Sequence, residues 1–247
     1  MDILQTHEIS EAGHRILNPC SDDKLMLLGE LCRLKPGQQQ LDLASGKGEM
    51  LCRWAEKYGI GGLGVDISKV FVPLAQARAV ELGVDSIVRF ECADASTFVP
   101  SATSYDIVSC IGATWIGSGL AGTLDLMRPW LRPDGLLLVG EPFWHDGAPS
   151  QAAAALGIAS EEFVTLTGTL ERFESVGVQL VEMVLADQDD WDRYVAAQWW
   201  TIRERLGTHP GHPDATDMRA VLAESRRTHL QWQRPWLGWG VFVLRLP

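Results

Sequence analysis

Positive charge is scarce in this chain. Its 247 residues hold 21 lysines and arginines against 32 aspartates and glutamates, a formal net charge of −11. That balance argues against nucleic acid as the main partner, because phosphate binding asks for a basic face. Apolar residues make up 46% of the chain, yet none of their runs approaches the ~20 residues that span a bilayer, so no membrane partner is expected. Cysteine is limited to Cys20, Cys32, Cys52, Cys92 and Cys110, an odd set without a CxxC pair. Reduced thiols are expected from it. Met1 to Ser10 contain Asp2 and Glu8 and no apolar h-region, so no secretion signal is expected there and the protein is expected to be cytoplasmic. Internal repeats, low-complexity tracts and linkers are also missing.

What the chain does carry is the run Gln40-Leu41-Asp42-Leu43-Ala44-Ser45-Gly46-Lys47-Gly48-Glu49, which reads as a strand ending in a glycine turn that opens a helix. Asp66 ends a second apolar strand, Leu63-Gly64-Val65. Glycines let a ligand approach the backbone, and an acid at the next strand end can grip a ribose. Together they mark a nucleoside-containing cofactor site at the crevice of a doubly wound α/β sheet.

Apolar runs and helical periodicity alternate from residue 40 to about 185, the βαβ pattern of a mostly parallel sheet. Met50, Leu51, Trp54, Ala55 and Tyr58 share a helical face. Ser68 is placed to cap the next helix, Gly83 to stop it, and Pro73 to lie in its first turns, since deeper it would cost ~3 kcal/mol. Further strands are expected at 86–90, 105–110, 136–139, 178–185 and 240–246, with Leu120, Leu124, Met127 and Leu131 lining the helix before the fifth. Residues 187–235 read as two helical pieces split by the Gly207 to Pro213 stretch. The organisation expected is a single domain over 1–247. Residues 1–38 form an N-terminal helical lid, 39–186 the cofactor-binding core, 187–235 a helical insertion covering the substrate, and 236–247 the last strand.

Two nucleoside cofactors compete for the crevice. A dinucleotide asks for G-x-G-x-x-G so that backbone amides reach its pyrophosphate. Counting from Gly46, the third glycine position is Leu51, and Glu49 sets a carboxylate in the first helical turn. S-adenosylmethionine carries a sulfonium and no phosphate, so acidic neighbours suit it better. An NAD(P)-dependent oxidoreductase and a non-catalytic adenosylmethionine-binding module remain the alternatives.

At these residues the chain resembles the class I S-adenosylmethionine-dependent methyltransferases. Leu41 to Gly48 is similar to their first motif, with Ala44 where a glycine is usual. Gly64 to Ser68, Cys92 to Ala95, Tyr105 to Val108 and Leu131 to Leu137 resemble the later motifs in order. The resemblance covers about residues 38 to 185 and implies a Rossmann-like sheet of seven strands, mixed, in the order 3-2-1-4-5-7-6 with helices on both faces. It implies that the turn Ala44, Ser45, Gly46, Lys47 and Gly48 packs on the methionine portion. Asp66 would accept both ribose hydroxyls, Ile67 and Ile111 would flank the cofactor, and Asp94 and Ala95 would read adenine. A narrower similarity, on His14 to Pro19, Gly112 to Gly117, Gly140 to Trp144 and Gly238 to Phe242, is to bacterial small-molecule methyltransferase-like proteins, and names no substrate.

Methyl transfer is an in-line displacement that needs a base only when the nucleophile arrives protonated. Glu141, at the end of the fifth strand, is the first candidate, His14 the second and His145 the third. Nine of the ten tryptophans lie from Trp115 onward. Trp115 and Trp144 follow the fourth and fifth strands and are expected to touch a small-molecule substrate of apolar, aromatic or cationic character. His209 and His212, with Asp214, flank Pro and Gly residues without a further ligand nearby, and no metal is expected.

Overall fold

The computed structural model describes residues 1–101, 104–159 and 161–247. Its centre is β1 (Gln39–Leu43), flanked by β2 (Gly61–Asp66) and β4 (Tyr105–Ile111), with β3 (Val88–Cys92) outside β2. Beyond β4 come β5 (Leu131–Trp144), β7 (Leu237–Arg245) and β6 (Gln179–Leu185), so the strand order is 3-2-1-4-5-7-6. β7 runs antiparallel to both neighbours, and the other pairings are parallel. Leu41 to Leu43 are buried on both faces, as a central parallel strand requires.

The helices follow from their ends and their apolar faces. α3 (Glu49–Tyr58) starts from Gly48 at φ +68° and stops at Gly59 at φ +69°, burying Leu51, Cys52, Trp54 and Ala55. α4 (Phe71–Glu81) is capped as the sequence predicts, the Ser68 hydroxyl accepting from the amides of Val70 and Phe71 at 3.1 and 3.0 Å. Pro73 sits in its first turn, where no helical N–H is lost. Two hydrophobic layers cover the sheet, one built around Leu28, Trp54 and Phe90, the other around Leu43, Phe173 and Phe242.

Three boundaries differ from expectation. Strand 3 lies two residues later than its apolar run. Leu131 does not extend α5 (Leu120–Met127) but opens β5 opposite Tyr105. Pairing is then interrupted at Pro133-Asp134-Gly135, with Asp134 at φ +64°, and resumes at Ile107 and Leu136. β7 begins at Leu237, because Gly238 and Gly240 tolerate the close approach of Phe143 and Leu185.

The insertion is two helices, α8 (Gln188–Thr208) and α9 (Ala215–Thr228), followed by a π-helical turn, His229–Gln233. The acidic run at its start is structural: Asp187 and Asp190 close a capping box, and Lys24 of α2 (Asp22–Leu31) pairs with both. Ile202, Ala215, Met218 and Leu222 pack with Ile9 of α1 (Ile3–Ser10), joining the insertion to the N-terminal segment. No helix is long and apolar enough to cross a membrane among the described residues.

Candidate functional site

A cleft of about 1420 Å³ opens along the carboxyl ends of the parallel strands. Drug-sized ligands occupy pockets of roughly 300–1,000 Å³, so this one has room for two adjacent molecules. One half is made by the turn after β1 and the end of β2. Asp66 is 8% exposed; its Oδ2 accepts from the Gly46 amide at 2.8 Å and its Oδ1 from the Ser68 amide at 2.8 Å. Each oxygen keeps a lone pair for a ligand. Ser45 lines the cleft with a buried hydroxyl that has no partner among the described residues. Ile67 is 55% exposed at the same wall, a large apolar side chain awaiting cover. Ala44 holds φ +56°, which costs a non-glycine residue roughly 1–2 kcal/mol and explains why glycine is the usual occupant.

Beneath this half lies Asp42, fully buried. Its Oδ1 accepts from the Ser109 hydroxyl at 2.6 Å, and that hydroxyl accepts from Gln40 Nε2 at 2.8 Å. Burial pushes its carboxyl up to about 7, with the Ser109 bond opposing and the nearby Asp66 charge adding. Asp94 is exposed and fixed by Ser96, whose hydroxyl and amide both donate to Oδ1 and hold the carboxyl below its usual range.

Glu141 dominates the other half. It is 3% exposed, and its Oε2 accepts from the Thr114 hydroxyl at 2.5 Å. Burial raises its carboxyl to about 7, partly offset by that bond and by the charge of Arg172. Trp115, 72% exposed, stands beside it, and Trp191 of α8 and Trp239 of β7 close the wall. Trp191 is 8% exposed and its Nε1–H is buried without an acceptor among the described residues, unusual for a buried indole. In all, seven carboxylate residues line the cleft against three lysines and arginines. The set fits S-adenosylmethionine: a glycine turn, acceptors for a diol, an apolar cover, and buried carboxyls without a cation that a positive ligand would satisfy.

Residues 41–135 match the family model described as a methyltransferase domain. Over 99% of its length, and 99% of the relative's, the chain is 44% identical to the uncharacterized protein YjhP of Escherichia coli. A solved S-adenosylmethionine-dependent methyltransferase from Geobacter sulfurreducens is 44% identical, with 100% of this chain and 99% of that one covered and a TM-score of 0.95. Its counterpart from Thiobacillus denitrificans is 42% identical, covered fully on both sides, with the same TM-score of 0.95. Both were crystallised with S-adenosylhomocysteine. The chain belongs to the class I S-adenosylmethionine-dependent methyltransferases. Its cofactor is therefore S-adenosylmethionine, and the dinucleotide alternative falls.

The methyltransferase cleft gathers most, not all, of the residues expected from sequence. Ala44, Ser45, Gly46, Asp66, Ile67, Asp94, Ala95, Ile111, Trp115 and Glu141 line it. Four expected members stand elsewhere. Gly48 faces the core: a Cβ there would lie 2.3 Å from Phe90 Cζ and 3.0 Å from Ala75 Cβ, so this glycine serves packing. Trp144 packs with the Leu138 and Val184 layer. His14 turns from the cleft, its Nε2 donating to the Tyr194 carbonyl at 3.0 Å and its Nδ1 3.2 Å from Glu11 Oε2. His145 stacks edge-on against Phe143.

Lys47, within the expected turn, lines the cleft as well; Thr114, Trp191 and Tyr194 also line it and were not anticipated as site residues. Only Thr114 had a local signal, a hydroxyl beside Trp115 behind β4.

Proposed function

We infer that this methyltransferase alkylates a small molecule at oxygen, nitrogen or sulfur, with no metal ion and no nucleic acid involved. When bound, S-adenosylmethionine supplies a methyl group made electrophilic by its sulfonium. Asp66 holds the ribose through two charge-assisted hydrogen bonds. Ile67 and Ile111 sandwich the adenine, while Asp94 and the Ala95 amide read its edge. Ala44, Ser45 and Gly46 pack against the methionine portion, and the ionised Asp42 favours its positive charge.

Glu141 carries the acceptor half of the reading. A carboxyl titrating near neutrality, fixed by Thr114 and open to the cleft, is suited to take a proton from an incoming hydroxyl, ammonium or thiol. The proton would move to Glu141 Oε1, and the freed lone pair would bond in line to the methyl carbon as its bond to sulfur breaks, leaving S-adenosylhomocysteine. Trp115 packs on the acceptor, and the Trp191 Nε1–H donates to an oxygen on it. The insertion and the N-terminal segment exclude water from this space.

A crystal grown with S-adenosylhomocysteine and a metabolite extract tests the reading. Acceptor density is expected within hydrogen-bond reach of Glu141 and against Trp115. An acceptor seated with its nucleophile away from Glu141 would remove the carboxylate from the mechanism.

A further inference from the structure

Lys47 sits between Gly46 and Gly48 in the cofactor turn, where a surface lysine would be expected, yet it is 8% exposed. All three of its ammonium protons are committed. Nζ donates to the carbonyls of Glu11 at 2.7 Å, Ala12 at 3.1 Å and His14 at 2.6 Å. Burial lowers its proton affinity, opposed by the neighbouring Glu11 carboxylate, and the Phe71 ring lies 5.5 Å away. A cation gathering carbonyls just past the end of α1 is a strong, directional tether.

The tethered stretch is the one that crosses the cleft. The His14 carbonyl belongs to the peptide leading into Arg15, which lines the cleft, as do Leu17 and Asn18. Leu17 rests on the cofactor turn so closely that a Cβ on Gly46 would stand 2.7 Å from its Cδ1. Asn18 Nδ2 donates to the Ile111 carbonyl at 3.4 Å. From the other side α8 holds the same stretch: Tyr194 OH donates to Glu11 Oε1 at 2.7 Å and contacts the Leu17 carbonyl at 3.2 Å. Gln198 Nε2 donates to Glu11 Oε1 at 2.6 Å. Turn, strap and insertion thus meet at one buried cluster beside the cofactor.

We propose that Lys47 is a positioning residue that latches the 11–18 strap over the bound cofactor, so that cofactor entry and exit require its three carbonyl bonds to break. Lys47 touches neither the reacting atoms nor the acceptor. It acts through the strap, by setting where Arg15, Leu17 and Asn18 face the cleft. Because the same strap is bonded to Tyr194 and Gln198, occupancy of the cofactor half is felt by the insertion that covers the acceptor half. The tether belongs to the glycine turn, the part of the chain that a cofactor most directly contacts, and this makes the coupling direct.

The test uses the full-length protein with S-adenosylhomocysteine as the probe. In Lys47→Met the ligand should dissociate roughly tenfold faster or more, since such changes appear mainly in the off-rate. Deuterium uptake in residues 11–18 should rise while the sheet amides stay protected. Lys47→Arg, which keeps charge and donors, should restore part of both. Tyr194→Phe should shift both in the same direction by less. Unchanged strap protection and an off-rate within about twofold of wild type in Lys47→Met would overturn the latch. If Lys47→Met fails to fold, Tyr194→Phe decides alone: strap uptake and off-rate at wild-type values reject the proposal.

Discussion

From Ala44 to Asp66, a single stretch of chain provides the turn, the helix start and the acid that make the cofactor half of the cleft. The proposed acceptor half draws Thr114 and Trp115 from behind β4, Glu141 from β5, Trp191 from α8 and Trp239 from β7. The first half is mostly backbone, fixed by left-handed residues at 44, 46 and 48 and by two amide bonds to Asp66. The second is mostly side chains, whose positions depend on how distant elements pack. Backbone turns repeat wherever the same ligand is held, whereas a wall of borrowed side chains can change one residue at a time. The two halves should therefore fail separately. Damage to one should alter cofactor affinity, damage to the other turnover or acceptor affinity.

The largest separation is expected at Glu141. Glu141→Gln keeps size and the Thr114 contact but cannot take a proton, and turnover should fall by roughly 10²–10⁴, the usual worth of a general base. Cofactor affinity should stay within about twofold, because none of the cofactor turn is disturbed. The wild-type rate should climb as pH rises through about 7, where Glu141 ionises, and the glutamine variant should lose that limb. Initial-rate measurements between pH 5.5 and 9 check both; equal rates would clear Glu141 of the role.

At Asp66 the opposite pattern is expected. Asp66→Ala should weaken S-adenosylhomocysteine binding by about 2–4 kcal/mol, roughly 30- to 900-fold, because charged hydrogen bonds to both ribose hydroxyls disappear. Turnover at saturating cofactor should change far less. Calorimetric titration settles it, and wild-type affinity would contradict the ribose assignment. Asp66→Asn, which keeps one acceptor for the Gly46 amide, separates loss of ribose contact from loosening of the turn.

How much of this was legible before folding tracks the same division. Asp66 and the Gly46 turn could be brought together from sequence because they lie within one βαβ unit with fixed offsets. The strand order likewise followed from motifs appearing in sequence. Gly48 was misplaced because a glycine's spacing says nothing about which neighbour crowds it, and Phe90 reaches it from β3. The tether made by Lys47 was invisible: its three carbonyl partners lie more than thirty residues upstream. His14 was drawn to Tyr194, which only the packing of α8 brings near. Trp144 is different, since the signal existed. Its odd spacing from Glu141 places the two on opposite faces of β5, with Trp144 on the side of Leu136 and Leu138.

Asp42 offers a smaller effect that sharpens the contrast by charge. Its carboxyl is raised in the folded protein above the ordinary aspartate range, so the proton is held more tightly when folded. That contribution to stability is complete below about pH 4 and is lost as pH rises through about 7. The ligand-free protein should thus lose thermal stability across that window, with Glu141 adding in the same direction. A cationic ligand reverses the trend. S-adenosylmethionine, bearing the sulfonium, should bind more tightly as Asp42 ionises, by on the order of 1 kcal/mol at an effective dielectric near 20. S-adenosylhomocysteine, lacking that charge, should give a flatter profile. Parallel pH titrations of the two ligands that coincide would show that Asp42 does not sense the sulfonium.

The finest distinction lies within the acceptor half, between two tryptophans that the sequence treated alike. Trp115 is 72% exposed at the cleft, so little of it is committed to the fold. Trp115→Ala should leave thermal stability nearly unchanged and weaken the acceptor by about 0.5–1.5 kcal/mol, the range for one aromatic or cation–π contact. Trp144 is half-buried against the Leu138 layer, and its amide donates to the Val164 carbonyl at 2.8 Å. Trp144→Ala should lower the melting temperature while the Michaelis constant for the acceptor stays put. Measured side by side, the pair distinguishes packing from recognition within one strand-end region. If Trp144→Ala raised the Michaelis constant without a change in melting temperature, the acceptor wall would have to be redrawn to include the opposite face of β5.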